Sequence, residues 1–155
     1  MGYILDLRKE LKNEKRALMM PAAAVLIFNK EGKVLLQQRV DNKKWGLPGG
    51  SMEMGETFED TAKREVLEEV NLKVKNLELF NVYSGEDLHY IYPNGHEVYI
   101  ATAVYICREF SGELKLDKEE TLDAVFYSRD NLPKIEDINP PDRIVIRELI
   151  NTIEF

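Results

Sequence analysis

GSMEMGETFEDTAKREVLEEVNL, residues 50–72, is the stretch that decides how this chain is read. A glycine opens it, and a helix-forming run follows that carries Glu65, Glu68 and Glu69 beside Arg64. Carboxylates crowded this closely repel one another unless positive charge lies between them. A divalent cation meets that need. Hard cations such as magnesium take oxygen ligands and keep room for waters and substrate phosphates. The stretch therefore points to metal-assisted chemistry on phosphates.

Helix geometry agrees. At about 100° per residue, positions three and four apart share a face. Phe58, Ala62, Val66 and Val70 form an apolar stripe. Glu69 falls within that sector and Glu65 at its edge, whereas Asp60, Arg64 and Leu67 point the other way. Carboxylates beside a buried stripe are costly unless paired or metal-bound, which weighs against a merely solvated acidic face. Thr57, with Asp60 three residues on, predicts a capping box at the helix start. Asn71 follows the last periodic residues and tolerates the left-handed conformation that ends a helix. Pro48-Gly49-Gly50 predicts a turn whose backbone can approach a ligand closely.

These residues resemble the Nudix box, G-x5-E-x7-R-E-U-x-E-E-x-G-U, in which U is a bulky apolar residue. Gly50, Glu56, Arg64-Glu65-Val66, Glu68-Glu69 and Leu72 match it, and Asn71 stands where the family has glycine. Asparagine is the next most tolerant residue at positive φ, so the turn is expected to survive. Trp45-Gly46-Leu47-Pro48-Gly49-Gly50 is similar to the family's approach to the box. The resemblance implies a Nudix-type α/β/α sandwich with a mixed β-sheet. It implies MutT-like hydrolysis of a nucleoside diphosphate linked to another moiety, with a nucleoside triphosphate or ADP-ribose as the foremost substrates and Mg2+ or Mn2+ as cofactor. Glu65 and Glu69 would be metal ligands, Glu68 a further ligand or one acting through water, and the Gly50 carbonyl a contact to the metal. Glu56 and Arg64 would form an orienting salt bridge. The general base stays open, because some family members take it from outside the box. In related sequences a glutamate just before a late strand often faces the metal, which favours Glu120. The alternative for Glu119 and Glu120 is a solvated charge pair, and Glu68 is next in line as base.

Length and composition fit one soluble domain over residues 1–155. A hydrophobic share of 44% is enough for a core, and the net charge of −7 excludes a broad nucleic-acid-binding surface. A nucleotide-derived small molecule remains a fitting substrate, because a bound cation can mediate anion binding locally. Cys107 lies in an apolar run and reads as a buried small hydrophobe. Leu18 to Phe28 is too short to span a bilayer and Pro21 interrupts it. No secretory pattern opens the chain, so a cytoplasmic enzyme without a membrane partner is expected.

Around the box, Tyr3, Leu7 and Leu11 predict an amphipathic helix over about 3–16. It would cover the core or a partner subunit, which leaves a homodimer open. Strands are predicted at Ala22–Phe28, Lys33–Arg39, Val74–Tyr83, Leu88–Tyr92, His96–Arg108 and Thr121–Tyr127. Pro93-Asn94-Gly95 marks a hairpin turn. Asn139 is expected to cap a final helix that Pro140 and Pro141 open and that runs to about Ile153. Arg39, near the glycine-rich loop, would hold a substrate phosphate by a two-point contact or form a salt bridge on the sheet. Trp45 would stack on a base or anchor the loop by packing. His89 and His96 are expected at exposed hairpin positions. Tyr90, Tyr92 and Tyr99 either line a base pocket or serve as good strand residues. A catalytically silent Nudix-fold module, sensing nucleotides or binding protein, is the alternative function. The complete set of box carboxylates weighs against it.

Overall fold

A computed structural model describes residues 2–12 and 16–155. Its helices are α1 (Tyr3–Glu10), α2 (Phe58–Val70) and α3 (Arg143–Thr152). Its strands are β1 (Leu18–Ile27), β2 (Val34–Arg39), β3 (Trp45–Gly46), β4 (Gly49–Ser51), β5 (Lys73–Lys75) and β6 (Glu78–Tyr83). The remaining strands are β7 (His89–Ile91), β8 (Glu97–Cys107), β9 (Glu109–Ser111) and β10 (Thr121–Tyr127).

Strand β1 organises the molecule. It runs parallel to β8 from Leu18 opposite Val98 to Ile27 opposite Cys107, and antiparallel to β4 on its other edge. Strands β6 and β7 pair antiparallel with β8, so the sheet is mixed. A second sheet has the order β10-β2-β3, and β5 pairs with β9. Along β1, Met20, Ala22, Ala24 and Leu26 join a core with Val145, Ile146 and Leu149 of α3. Ala23, Val25 and Ile27 join the other core with Ala62, Val66 and Val70 of α2. Successive strand residues face opposite sides, so one apolar run feeds both layers. The result is the expected α/β/α sandwich.

Several boundaries differ from the sequence expectation. Helix α1 ends at Glu10 rather than near 16, Lys12 takes φ 51°, and residues 13–15 of the expected helix lie outside the described residues. Its buried side chain is Arg8, not the Tyr3–Leu7–Leu11 stripe, and the helix lies against its own chain. The strand expected over Val74–Tyr83 breaks in two, because Asn76 sits at φ 54° between β5 and β6. Pro21 lies inside β1 and interrupts nothing. Pro140–Asp142 form a separate 3₁₀ turn, and Asn139 makes no side-chain cap to it. The Asn139 side chain instead donates to Asp142 and accepts from Asn42. Among the described residues no helix is long and apolar enough to cross a membrane.

Candidate active site

Helix α2 carries the site, and both of its ends are fixed. The Asp60 N–H donates to Thr57 Oγ1 and the Thr57 N–H donates to Asp60 Oδ2, each at 3.1 Å, which closes the capping box. Asn71 ends the helix at φ 62°, ψ 28°, in the left-handed region. Its buried face consists of Thr61, Ala62, Val66, Glu69 and Val70. Phe58 is 39% exposed, so the apolar stripe starts a turn later than its sequence suggests and Thr61 joins it.

Arg64 acts as a hub for the acidic groups around it. Its Nε donates to Glu56 Oε2 at 2.7 Å and its Nη2 to Glu56 Oε1 at 2.9 Å. Nη2 also reaches the Ser51 carbonyl at 2.9 Å, and Nη1 reaches Glu65 at 2.9 Å and Glu68 at 3.3 Å. Such a planar fork matches carboxylate geometry and adds orientation to charge. Glu56 also accepts from the Glu53 N–H and the Thr61 hydroxyl. Hydrogen bonding to Arg64 is the main reason its pKa falls to about 2. The ion pair expected between Glu56 and Arg64 is present in the structure.

Glu65 and Glu69 are in the opposite condition. Glu69 is 5% exposed and accepts from Gln37 Nε2 at 2.6 Å and from the Gly49 N–H at 2.8 Å. Burial, and then the charge of Glu65, push its pKa well above the usual carboxylate value. Burial also raises Glu65 to about 7, with Glu68 and Glu120 adding to the rise against the pull of Arg64. The glycines beside them serve close approach within the protein. A Cβ on Gly49 would collide with the Ala23 carbonyl oxygen, and one on Gly50 would meet the Glu65 carboxyl group at 2.5–2.6 Å. Gly49 and Gly50 are consequently the start of β4 paired to β1, with the Pro48 carbonyl just before them accepting from the Val25 N–H, not a free turn.

Glu65, Glu69 and Gly50 open onto a groove of about 360 Å³. Glu120 reaches it from the segment before β10, where the Val40 N–H donates to its carbonyl. The residue is exposed overall, yet partial burial and the neighbouring Asp117 raise its pKa. Arg39 also lines the groove, but its guanidinium fork is engaged by Asp41 at 2.8 and 2.7 Å. Trp45 packs edge-on against Tyr127, with ring centroids 5.3 Å apart, and is not part of the groove lining. Glu68 is likewise not part of the groove lining; it pairs with Arg64 and its side chain is 58% exposed. His96 and Tyr92 line the groove. His89 instead stacks on Tyr99 and pairs with Glu97, and both histidines are half-buried rather than exposed.

Two contributors escaped the sequence reading. Gln37 is 3% exposed and bridges Glu69 to the Thr121 hydroxyl. Strand alternation was a usable signal, because Gln37 shares a face with Leu35, which packs in the core of α2. Asp142 lines a smaller adjoining cavity, where burial lifts its pKa to about 6. Nothing local in the sequence marks it.

The donor set suits a hard divalent cation. Glu65, Glu69, Glu68 and Glu120 offer carboxylate oxygens, and each ionised oxygen keeps a second lone pair beyond the bond it already accepts. Among the described residues no three acidic, histidine or cysteine side chains already converge on a shared ion position. Magnesium does not need that, since one or two carboxylates, waters and substrate oxygens complete its shell.

The NUDIX domain family profile matches residues 18–149. The ADP-ribose pyrophosphatase of Methanocaldococcus jannaschii is 39% identical over 132 residues, 83% of this chain and 73% of that protein. The NAD-capped RNA hydrolase NudC of Yersinia enterocolitica is 33% identical over 132 residues. That match takes in 83% of this chain but 45% of the NudC protein, so the chain spans less than half of that relative's length. Among solved structures, the MutT Nudix hydrolase of Burkholderia pseudomallei shares the fold with a TM-score of 0.71 at 24% identity. The match covers 84% of this chain and 98% of that one. With the box clamp, the paired inward glutamates and the sandwich all in place, the chain belongs to the Nudix hydrolase family.

Proposed function

We propose that this chain hydrolyses the pyrophosphate bond of a nucleoside diphosphate derivative with the help of Mg2+ or Mn2+, and that ADP-ribose is the first substrate to test. The carrying observation is the pair Glu65 and Glu69. Both are held in fixed positions at the groove; no cation faces Glu69 to favour its ionised form, and the single bond from Arg64 to Glu65 is outweighed by burial. The identity to an ADP-ribose pyrophosphatase favours that substrate over nucleoside triphosphates.

A bound divalent ion would supply charge neutralisation for the diphosphate and a more acidic water. Glu65 and Glu69 would hold it, with Glu68 at the edge and the Gly50 backbone alongside. The protein's own groups do the rest. Gln37 and the Gly49 N–H fix the Glu69 carboxyl group, and Arg64 fixes Glu65. Glu120 comes from a separate segment and takes the proton as water adds to one phosphorus. The bond from that phosphorus to the bridging oxygen breaks, and two phosphate monoesters leave. Arg39 contributes a positive charge to the leaving phosphate only by exchanging its contact with Asp41.

The test is a product assay on ADP-ribose, NAD and a nucleoside triphosphate with Mg2+, Mn2+ or chelator. AMP and ribose 5-phosphate are expected from ADP-ribose in the presence of metal. Turnover of none of the substrates with either metal would refute the assignment.

A further inference from the structure

The groove extends past the acidic cluster to a wall that the family box does not supply. Ile4 and Leu5 of α1 line it, together with Met20 and Val98 of the sheet. Tyr92, Asn94 and His96 line it from the β7–β8 turn. Helix α1 adds little to the core, where Ile4 packs, and Leu5 stays 48% exposed. Even so, the helix is pinned at both ends. At its start the Tyr3 N–H donates to Glu53 Oε2 at 3.0 Å, and the Glu53 N–H in turn donates to Glu56 of the Arg64 clamp. Toward its end the buried Arg8 donates to the carbonyls of Glu97 and Arg16. A buried arginine spent on two backbone carbonyls holds the position of a helix rather than filling a core.

We propose that α1 and the β7–β8 turn enclose the nucleobase subsite of this enzyme, with Ile4 and Leu5 as its apolar wall and Asn94 and His96 as its reading edge. The inference rests on the proposed activity on nucleotide diphosphates and names where the base sits. The diphosphate belongs at the carboxylate end, where a cation can neutralise it. A sugar alone would want hydroxyl partners along the far wall, whereas Ile4 and Leu5, with the nearly buried Met20 and Val98 behind them, make that wall apolar. A flat base matches that surface through its faces and needs a few polar groups at its rim. Asn94 Oδ1 accepts from the His96 N–H at 3.0 Å, which orients the amide. An amide carries both donor and acceptor and can tell an amino group from a carbonyl on a base edge.

Two variants test this on the full chain. Leu5→Ser removes apolar wall at an exposed position, and Asn94→Ala removes the reading amide. Leu5→Ser is expected to raise KM for ADP-ribose about tenfold with kcat changed far less, the low end of the scale for one methylene in an apolar pocket, because Leu5 is half exposed. Asn94→Ala is expected to compress the kcat/KM ratio between ADP-ribose and its hypoxanthine analogue, a readout that a merely structural wall would not move. An unchanged KM in Leu5→Ser, or an unchanged ratio in Asn94→Ala, overturns the subsite. If the wild type turns over neither compound, the proposed activity falls by itself. Calorimetric titration with ADP-ribose then decides the subsite: about tenfold weaker binding by Leu5→Ser upholds it. Equal binding, or no binding by the wild type, overturns it.

Discussion

Glu56 and Glu65 touch the same guanidinium, at 2.7 and 2.9 Å, yet they end in opposite states. Glu56 takes two bonds from Arg64 and two more from Glu53 and Thr61, and its pKa falls to about 2. Glu65 takes one bond, sits in a desolvated place near Glu68 and Glu120, and rises to about 7. The fork of Arg64 is largely spent on Glu56 and the Ser51 carbonyl. Glu65 and Glu69 are left short of positive charge on the groove side. One carboxylate is satisfied inside the protein and serves its architecture, while the other two are left for something that binds. Perturbed carboxyl groups gathered in a cleft mark a candidate functional site.

The largest expected effect tests the frustrated side of this contrast. Glu69→Gln is expected to lower kcat about 10⁴-fold, since the loss of a metal ligand costs several kcal/mol of barrier and each ~1.4 kcal/mol is a factor of ten. Circular dichroism should show the fold intact. Turnover near wild type would mean that Glu69 is merely a buried acid. Next comes Glu120→Gln, expected to cost about 10²–10³-fold, within the usual range for proton transfer. Its metal affinity should fall much less than that of Glu69→Gln. Abolished metal binding would make Glu120 a ligand instead, and full activity in both Glu120→Gln and Glu119→Gln would move the base to Glu68.

The two sides should also respond to pH in opposite directions. Glu65 has a folded pKa raised from 4.5 to about 7, so its contribution to stability is complete below 4.5 and is lost as pH rises through about 7. Glu69 and Asp142 are raised as well and act in the same sense. Glu56 is lowered from 4.5 to about 2, so its contribution is present above 4.5 and is lost as pH falls toward about 2. Metal-free protein should therefore lose several degrees of Tm between pH 5 and pH 8, at roughly 2–4 °C per kcal/mol for a chain of this size. Added Mg2+ should restore part of that loss at pH 8. A flat profile in melts followed by circular dichroism would erase the contrast.

The smallest effect lies at the helix end that holds both groups. Asn71 sits at φ 62°, and its Nδ2 donates to the Glu113 carbonyl at 3.1 Å. Asn71→Gly should leave Tm nearly unchanged, because the freer backbone offsets the lost bond. Asn71→Val should destabilise by roughly 1–2 kcal/mol, the cost of a β-branched residue in the left-handed region. Equal Tm values for all three proteins would show that this turn carries no strain.

What the sequence disclosed was local in origin. The capping box of Thr57 and Asp60, the left-handed Asn71 and the inward Glu69 all follow from spacing within one helix. Strand β1 was legible as an apolar run, although its parallel pairing with β8 joins residues 80 apart and left no local mark. Gln37 and Asp142 gain their meaning from contacts 32 and 95 residues away, with Glu69 and Leu47. Placement of α1 over the groove was hidden for the same reason: its apolar residues do not say what Arg8 will hold. Trp45 shows the converse, since its place in a glycine-rich loop leaves base stacking and loop anchoring both open, and Tyr127 packed against it favours the anchor.

The contrast between satisfied and frustrated carboxylates is tested most directly by titrating chelator-treated protein with Mn2+ and following free ion by electron paramagnetic resonance. The wild type should bind Mn2+ at pH 8, Glu69→Gln should bind it at least about tenfold more weakly, and the wild type's affinity should fall as pH drops below about 7, where Glu65 takes up its proton. Equal Mn2+ affinity in wild type and a folded Glu69→Gln protein would contradict the account.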